Sequence, residues 1–275
     1  MQGPLRIIFP LTVVLLWTLF GIGLYGELWT PLQSLMAGLG FLCCAVIFIG
    51  FIYVFNYGYG LSVSAVAIAL MVAEPGPATT VLALPALAFG LRMVWFTHGR
   101  YAAASFARNY ERQRTASAML PAPVRVMLWL MVSTLMGFEL MAVYLAGRVG
   151  VVTPWVVAGA VVVVVGLVLE TVTDAQKQAG KARDPGAFVT GGLFATARHP
   201  NYTGEIVFQL GLIIAAAGAA NDWWHLAVAL LAPLYIVILM VFSAINADAD
   251  QQKRYGADPA YQAWRARTGR FLPGL

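Results

Sequence analysis

The chain has 275 residues, of which 60% are hydrophobic and only 11% charged. Soluble domains carry about 25% charged residues, so this composition excludes an ordinary soluble protein and points to a membrane bundle. The formal net charge of +5 comes with no soluble basic domain and no recognition motif, which excludes nucleic acid as a partner.

A bilayer core of about 30 Å calls for roughly 20 helical residues. Runs of that kind fall at 6–25, 34–55, 60–74, 79–97, 122–147, 151–172, 203–219 and 223–245. The first lacks a small-residue cleavage site and reads as a retained helix, not a leader. Cys43 and Cys44 are neighbours in the second run. Adjacent helical residues point apart, so the pair reads as small buried hydrophobes with neither a disulfide nor a metal site. The third run is short and follows Asn56-Tyr57-Gly58-Tyr59-Gly60, a stretch unfavourable to a helix. It is either a separate span or a break in a longer one. The expected fold is therefore an all-α polytopic membrane protein of seven to eight transmembrane helices, with eight preferred.

The fourth run holds Arg92 and the fifth holds Glu139, each within apolar surroundings. A carboxylate at membrane depth is a functional candidate by default, although pairing with Arg92 would make it structural. Outside the runs, Arg100, Arg108, Arg112 and Arg114 fall in one loop, and Lys177, Lys181, Arg183 and Arg198 in another. Lys253, Arg254, Arg265, Arg267 and Arg270 fall in the tail. With eight spans these segments share one face with Arg6 and Arg125, leaving Arg148 opposite, which places both termini in the cytoplasm. The alanine- and valine-rich spans fit a bacterial inner membrane. Such cations also meet anionic lipid, so membrane lipids are expected partners, with no obligate protein partner evident.

The segment from Glu170 to Gly211 is more polar than a membrane requires. Glu170 and Asp174 lie one helical turn apart, as do Lys177 and Lys181, so acids leave the bilayer first and cations follow. This is either a salt-bridged stripe or a ligand surface whose outer cations meet phosphates. Further on, Arg198-His199-Pro200-Asn201-Tyr202 precedes a helix. Pro200 suits the first turn of that helix, whose free N–H groups beside Arg198 and His199 make an anion site plausible. Asn201, Glu205 and Gln209 then follow one another at one-turn intervals on a single face. No cluster of His, Cys, Asp or Glu has metal-ligand spacing.

The run Gly192-Leu193-Phe194 … Arg198-His199-Pro200-Asn201-Tyr202 … Gly204-Glu205, with the ending Tyr261 … Trp264-Arg265 … Arg270-Phe271-Leu272-Pro273, resembles the steroid 5α-reductase-like membrane reductases. That group takes in the DUF1295 proteins. The same Arg-His-Pro core occurs in isoprenylcysteine carboxyl methyltransferases of the same superfamily. The resemblance covers about 155 to 275 well and the earlier chain weakly. It implies an NADPH-dependent enzyme that reduces a polarised C=C bond by hydride transfer in a lipid-soluble substrate such as a 3-oxo-steroid, sterol or isoprenoid-like lipid. It further implies that Asp174, Arg198, His199, Asn201, Tyr202 and Glu205 line the cofactor pocket. Lys177, Lys181 and Arg183 suit the pyrophosphate or 2′-phosphate. No Gly-x-Gly-x-x-Gly follows a strand, so a Rossmann site is not on offer.

The resemblance also implies an acid on an early helix and a tyrosine on the next. Asn56 falls at the acid position and Phe89 at the tyrosine position. Asparagine hydrogen-bonds a carbonyl but is no general acid. Tyr57, Asn56 and Glu139 are therefore the catalytic candidates, with Tyr59 beside Tyr57 as a second phenol; both tyrosines also suit an interfacial aromatic belt. The single membrane domain 1–275 then divides into helices 1–150 lining a substrate cavity and a region 151–275 holding the cofactor. The alternative is a methyltransferase that uses S-adenosylmethionine on a lipid or isoprenylcysteine substrate. Such enzymes carry paired glutamates after the last span, where this chain has Asn246-Ala247-Asp248-Ala249-Asp250.

Overall fold

A computed structural model describes the backbone of residues 5–273 and the side chains within it, except those of residues 5–10, 13, 108 and 109. The side chains of Arg6 and Arg108 thus lie outside the described residues. Among the described residues the chain is helical, and seven helices are long and apolar enough to cross a membrane. The protein is an integral, multi-pass bundle. Its outer faces are apolar, with Val161, Val164, Val165 and Val168 all exposed on one helix. That is the arrangement hydrocarbon solvent favours, because helices satisfy their own backbone hydrogen bonds.

Helix α1 (Leu5–Tyr25) is apolar and has a shorter described apolar stretch, Val14–Tyr25. It packs on α11 (Trp223–Tyr255), where the Trp224 indole N–H donates to the Leu19 carbonyl at 3.0 Å. Helix α2 (Pro31–Cys44) starts with a capping box made by Thr30 and Gln33, which satisfies two otherwise orphaned donors. Its span runs on to Phe48 and stops before Gly50. The expected division here, 34–55 followed by 60–74, falls elsewhere. The backbone turns extended at Gly50, which breaks the helix there, and a Cβ on that residue would sit 2.9 Å from the Tyr53 ring. The freed Phe51 N–H donates to Ser117 Oγ at 2.5 Å.

A single span, Phe51–Ala73, follows. It opens with α3 (Phe51–Tyr53), passes through a π-helical turn (Val54–Gly58) and continues as α4 (Tyr59–Ala73). The Asn56–Gly60 stretch therefore widens the helix without ending it. Wide turns of this type commonly mark functional positions. Helix α5 (Pro77–Ala102) packs on α4, and the basic surface helix α6 (Ala107–Ala118) follows.

The next span is interrupted in mid-membrane: α7 (Ala122–Phe138) gives way to α8 (Met141–Val149) across Glu139 and Leu140. The last spans are α9 (Pro154–Arg183), α10 (Pro200–Ala219) and α11, followed by the short α12 (Pro259–Arg267). At 1.5 Å per residue the 30 residues of α9 reach ~45 Å, well past a ~30 Å hydrocarbon core. Their surplus turns, with the far end of α11, form the walls of the site.

Helices α9 and α10 make the most extensive helix contact among the described residues, and facing glycines let their backbones touch. A Cβ on Gly159 would lie 2.7 Å from the Gly211 carbonyl, and one on Gly166 equally close to the Gly204 carbonyl. Gly204 in turn lies opposite Glu170, where a Cβ would stand 2.6 Å from the Glu170 nitrogen. This contact brings Glu170 on α9 and Glu205 on α10 to one level. It is the packing fact on which the site depends.

Candidate functional site

The site has a basic mouth and a deep polar cluster. At the mouth, the loop after α9 is turned by Asp184, whose Oδ1 accepts from the backbone of Gly186 and Ala187 at 2.8 and 3.1 Å. The loop is pinned to α9 by Leu193 N donating to Gln176 Oε1 at 2.9 Å, and to α12 by Trp264 Nε1 donating to the Phe194 carbonyl at 2.8 Å. The chain end returns as a strap beside it. The Arg198 and His199 N–H groups donate to the Gly269 and Arg270 carbonyls at 2.8 and 3.0 Å.

One buried carboxylate organises this end. Asp248, 3% exposed, accepts from Arg198 Nε at 3.0 Å and Nη2 at 3.1 Å, from Arg270 Nε at 2.9 Å, and contacts His199 Nε2 at 2.8 Å. Arg198 also donates to the Thr268 carbonyl. Burial holds the His199 imidazole below the usual histidine range, with the Asp248 hydrogen bond pulling the other way. A neutral ring that donates Nε2–H to Asp248 leaves Nδ1 as an acceptor. The ring stacks on Tyr202 at 5.4 Å.

Beside this hub lies a cavity of about 470 Å³. Six cations line it, Arg112, Lys177, Lys181, Arg198, Lys253 and Arg254, against one acid, Asp250. Its apolar wall includes Phe188, Tyr255 and Trp264. Phe188 is central to that wall, 5.5 Å from the Tyr255 ring and 5.7 Å from Trp264. Lys181 is held there by the Ala187 carbonyl at 2.6 Å and the Tyr255 hydroxyl at 3.3 Å. Cations together with flat aromatic faces suit a ligand that has both phosphates and a planar ring.

Below the mouth, Arg92 donates to Glu170 Oε1 at 2.7 Å and to Asp174. The acidic stripe is thus paired across helices, and Arg92 is committed to Glu170 and Asp174 instead of Glu139. Deeper still, the Tyr59 hydroxyl donates to Glu205 Oε1 at 2.8 Å and lies 3.3 Å from Glu139 Oε1. Gln209 Nε2 donates to the Tyr59 oxygen at 2.8 Å and to Glu205 Oε1 at 3.0 Å. Glu139 and Gln209 are fully buried, and Glu139 Oε2, Gln209 Oε1 and Glu170 Oε2 have no hydrogen-bond partner. Glu139 reaches this cluster because it occupies the α7–α8 break.

The residues expected from sequence fall into groups. Lys177, Lys181 and Arg198 line the cavity, while Arg183 is exposed on the last turn of α9 and does not. His199 and Tyr202 stack beside it. Asn201 is half-buried and its Oδ1 lacks a partner. Asp174 lies with Arg92, and Glu205 and Glu139 lie with Tyr59. Asn56 and Tyr57 are elsewhere, in a tyrosine cluster: Asn56 Nδ2 donates to the Tyr101 hydroxyl at 3.2 Å, and the Tyr57 ring lies 5.9 Å from those of Tyr53 and Tyr101. Sequence reasoning left out Asp248, Arg112, Lys253, Arg254 and the aromatic wall. Asp248 carried no signal of its own, because it sits in the polar run Asn246-Ala247-Asp248-Ala249-Asp250 beyond the apolar part of α11.

A family model described as "Protein of unknown function (DUF1295)" matches residues 49–268. The chain belongs to the DUF1295 family. The matched region contains the DUF1295 chain's whole deep cluster and the cavity walls, and it ends just before Gly269 and Arg270 of the strap. The chain is also similar to the protein of Ustilaginoidea virens named "Probable O-methyltransferase ustE", with 36% identity over 75 residues, 26% of each chain. No solved structure gives a significant match.

Proposed function

We infer that this DUF1295 protein is an NADPH-dependent membrane oxidoreductase of the steroid 5α-reductase-like kind, acting on a polarised C=C bond in a lipid-soluble substrate. The observation that carries the reading is the cation-lined cavity with its aromatic wall. Six lining cations against one lining acid leave an excess of positive charge at the mouth even with Arg198 paired to Asp248, and a ligand with several phosphates is the complement. NADPH carries a pyrophosphate and a 2′-phosphate, whereas S-adenosylmethionine carries none. Bound there, the cofactor would supply a hydride.

In this reading Lys177, Lys181 and Arg198 hold phosphate oxygens, and Phe188, Tyr255 and Trp264 offer faces to the adenine. The unpartnered Asn201 Oδ1 and the His199 Nδ1 accept from hydroxyl or amide groups further in. From Pro200 to Glu205 is ~8 Å along α10 at 1.5 Å per residue, so a ligand anchored at the mouth extends toward the Tyr59 level. The charge asymmetry of the loops supports a cytoplasmic mouth.

A methyltransferase reading draws on the 75-residue similarity to the fungal protein. One binding comparison separates the two. At a hundredfold excess over Kd, a ligand that binds only the native state stabilises it by about 2.7 kcal/mol. The reductase reading expects thermal stabilisation of the purified protein by NADPH and NADP⁺, with S-adenosylmethionine inert. Stabilisation by S-adenosylmethionine alone overturns it.

A further inference from the structure

We propose that Tyr59, Glu205 and Glu139 form a buried proton store that feeds the reduction from the basic end of the bundle; the proposal rests on the reductase reading above. Adding hydride to one carbon of a double bond leaves the other carbon to take a proton. Tyr59, Glu139 and Glu205 are all buried, so a proton delivered from them has to be held by the protein itself.

The geometry offers three homes for that proton within one hydrogen-bonded group. Tyr59 Oη lies 2.8 Å from Glu205 Oε1 and 3.3 Å from Glu139 Oε1. A phenol has a single proton and cannot serve both carboxyl groups at once. Gln209 steadies the arrangement through 2.8 and 3.0 Å contacts to Tyr59 and Glu205. No arginine or lysine contacts Glu139 or Glu205 among the described residues, since Arg92 is bound to Glu170 and Asp174. Burying two unpaired carboxylates together is costly, and a shared extra proton removes that cost. The unpartnered Glu139 Oε2, with no measurable exposure, is where a proton on that side would sit.

Polar neighbours continue the group in one direction, and apolar ones close it in the other. Toward the basic end, Glu170 lies at the Glu205 level across the Gly204 contact, and Asn201 lies one turn above Glu205. Away from it, Leu140 and Met141 are fully buried, and beyond them Phe138 packs on Trp29 at 5.1 Å. In the step itself the Tyr59 O–H bond breaks, its electron pair stays on oxygen, and the double bond's π pair forms the new C–H bond. The phenolate then takes a proton from Glu205 or Glu139. The resulting carboxylate is refilled through the Glu170–Asn201 side.

Infrared spectroscopy of the full-length protein tests this without a substrate. The wild type should show the carbonyl-stretch band of a protonated carboxylic acid. That band should weaken in E139Q and be kept in E74Q. A band that is absent from the wild type, or undiminished in E139Q, overturns the store. If E139Q does not fold, Tyr59→Phe carries the test, because it removes the contact and leaves the acid: the band should shift, and an unshifted band refutes the proposal. NADPH titration of the same samples separates this claim from the reductase reading. A band with no NADPH binding upholds the store and sinks the reductase; NADPH binding with no band does the reverse.

Discussion

Replacing Asp248 by alanine is the most revealing perturbation of the mouth. The carboxylate is 3% exposed and takes four contacts from Arg198, His199 and Arg270. Removing one partner of a buried ion pair costs roughly 3–5 kcal/mol, because the charges left behind are uncompensated. Arg270 is the most exposed of the three groups, with 37% of its side chain accessible, so it can return to water and the lower end of that range applies. Arg198 cannot escape as easily at 12%, and its bond to the Thr268 carbonyl becomes its main tether. Asp248→Ala should therefore destabilise the bundle by about 3 kcal/mol and loosen the strap that Arg198 and His199 hold at Gly269 and Arg270. Denaturant unfolding in micelles reads the first effect, and hydrogen exchange at the Arg198 and His199 amides, which donate to the strap, reads the second. Loss of stability under ~1 kcal/mol, the scale of an exposed pair, with unchanged exchange would refute the view of Asp248 as the hub.

Three further predictions follow from the same geometry. The folded-state pKa of His199 is depressed by burial, so its neutral form contributes stability above its unfolded value near 6.5 that is lost as pH falls through and below it; His199→Gln should flatten that acid limb of a thermal-melt series. Gly204→Leu puts side-chain atoms where a Cβ alone would stand 2.6 Å from the Glu170 nitrogen, and should cost at least the 1–3 kcal/mol typical of overpacking, measured by unfolding in micelles. Nucleotide affinity at a cation-lined mouth should fall as ionic strength rises toward 1 M, where the Debye length shrinks to about 3 Å; titrations at two salt concentrations check this.

Much of the fold was legible because hydropathy alone marks helices that must satisfy their backbones in lipid. The spans ending in Arg183, Ala219 and Tyr255 were visible as apolar runs, though α9 and α11 extend further because their polar ends project past the hydrocarbon. The break at Gly50 was misplaced to Asn56–Gly60, since composition does not distinguish a π-helical turn from a helix stop. The mouth was half legible: Lys177, Lys181 and Arg198 stand in one polar stretch, but Arg112, Asp248 and Lys253 join them from helices far away in sequence. The deep cluster was the hardest part. Tyr57 and Tyr59 look alike in sequence, but two residues apart on a helix they point to different sides, and Tyr59 is the one that reaches Glu139 and Glu205.

The central claim is that a phosphate-bearing nucleotide is held at the basic mouth, and a structure of the protein solved with NADP⁺ tests it most directly. The account predicts phosphorus positions within contact of Lys177, Lys181 and Arg198, with the adenine against Phe188, Tyr255 or Trp264. Nucleotide bound away from those cations, or no bound nucleotide at saturating concentration, contradicts it.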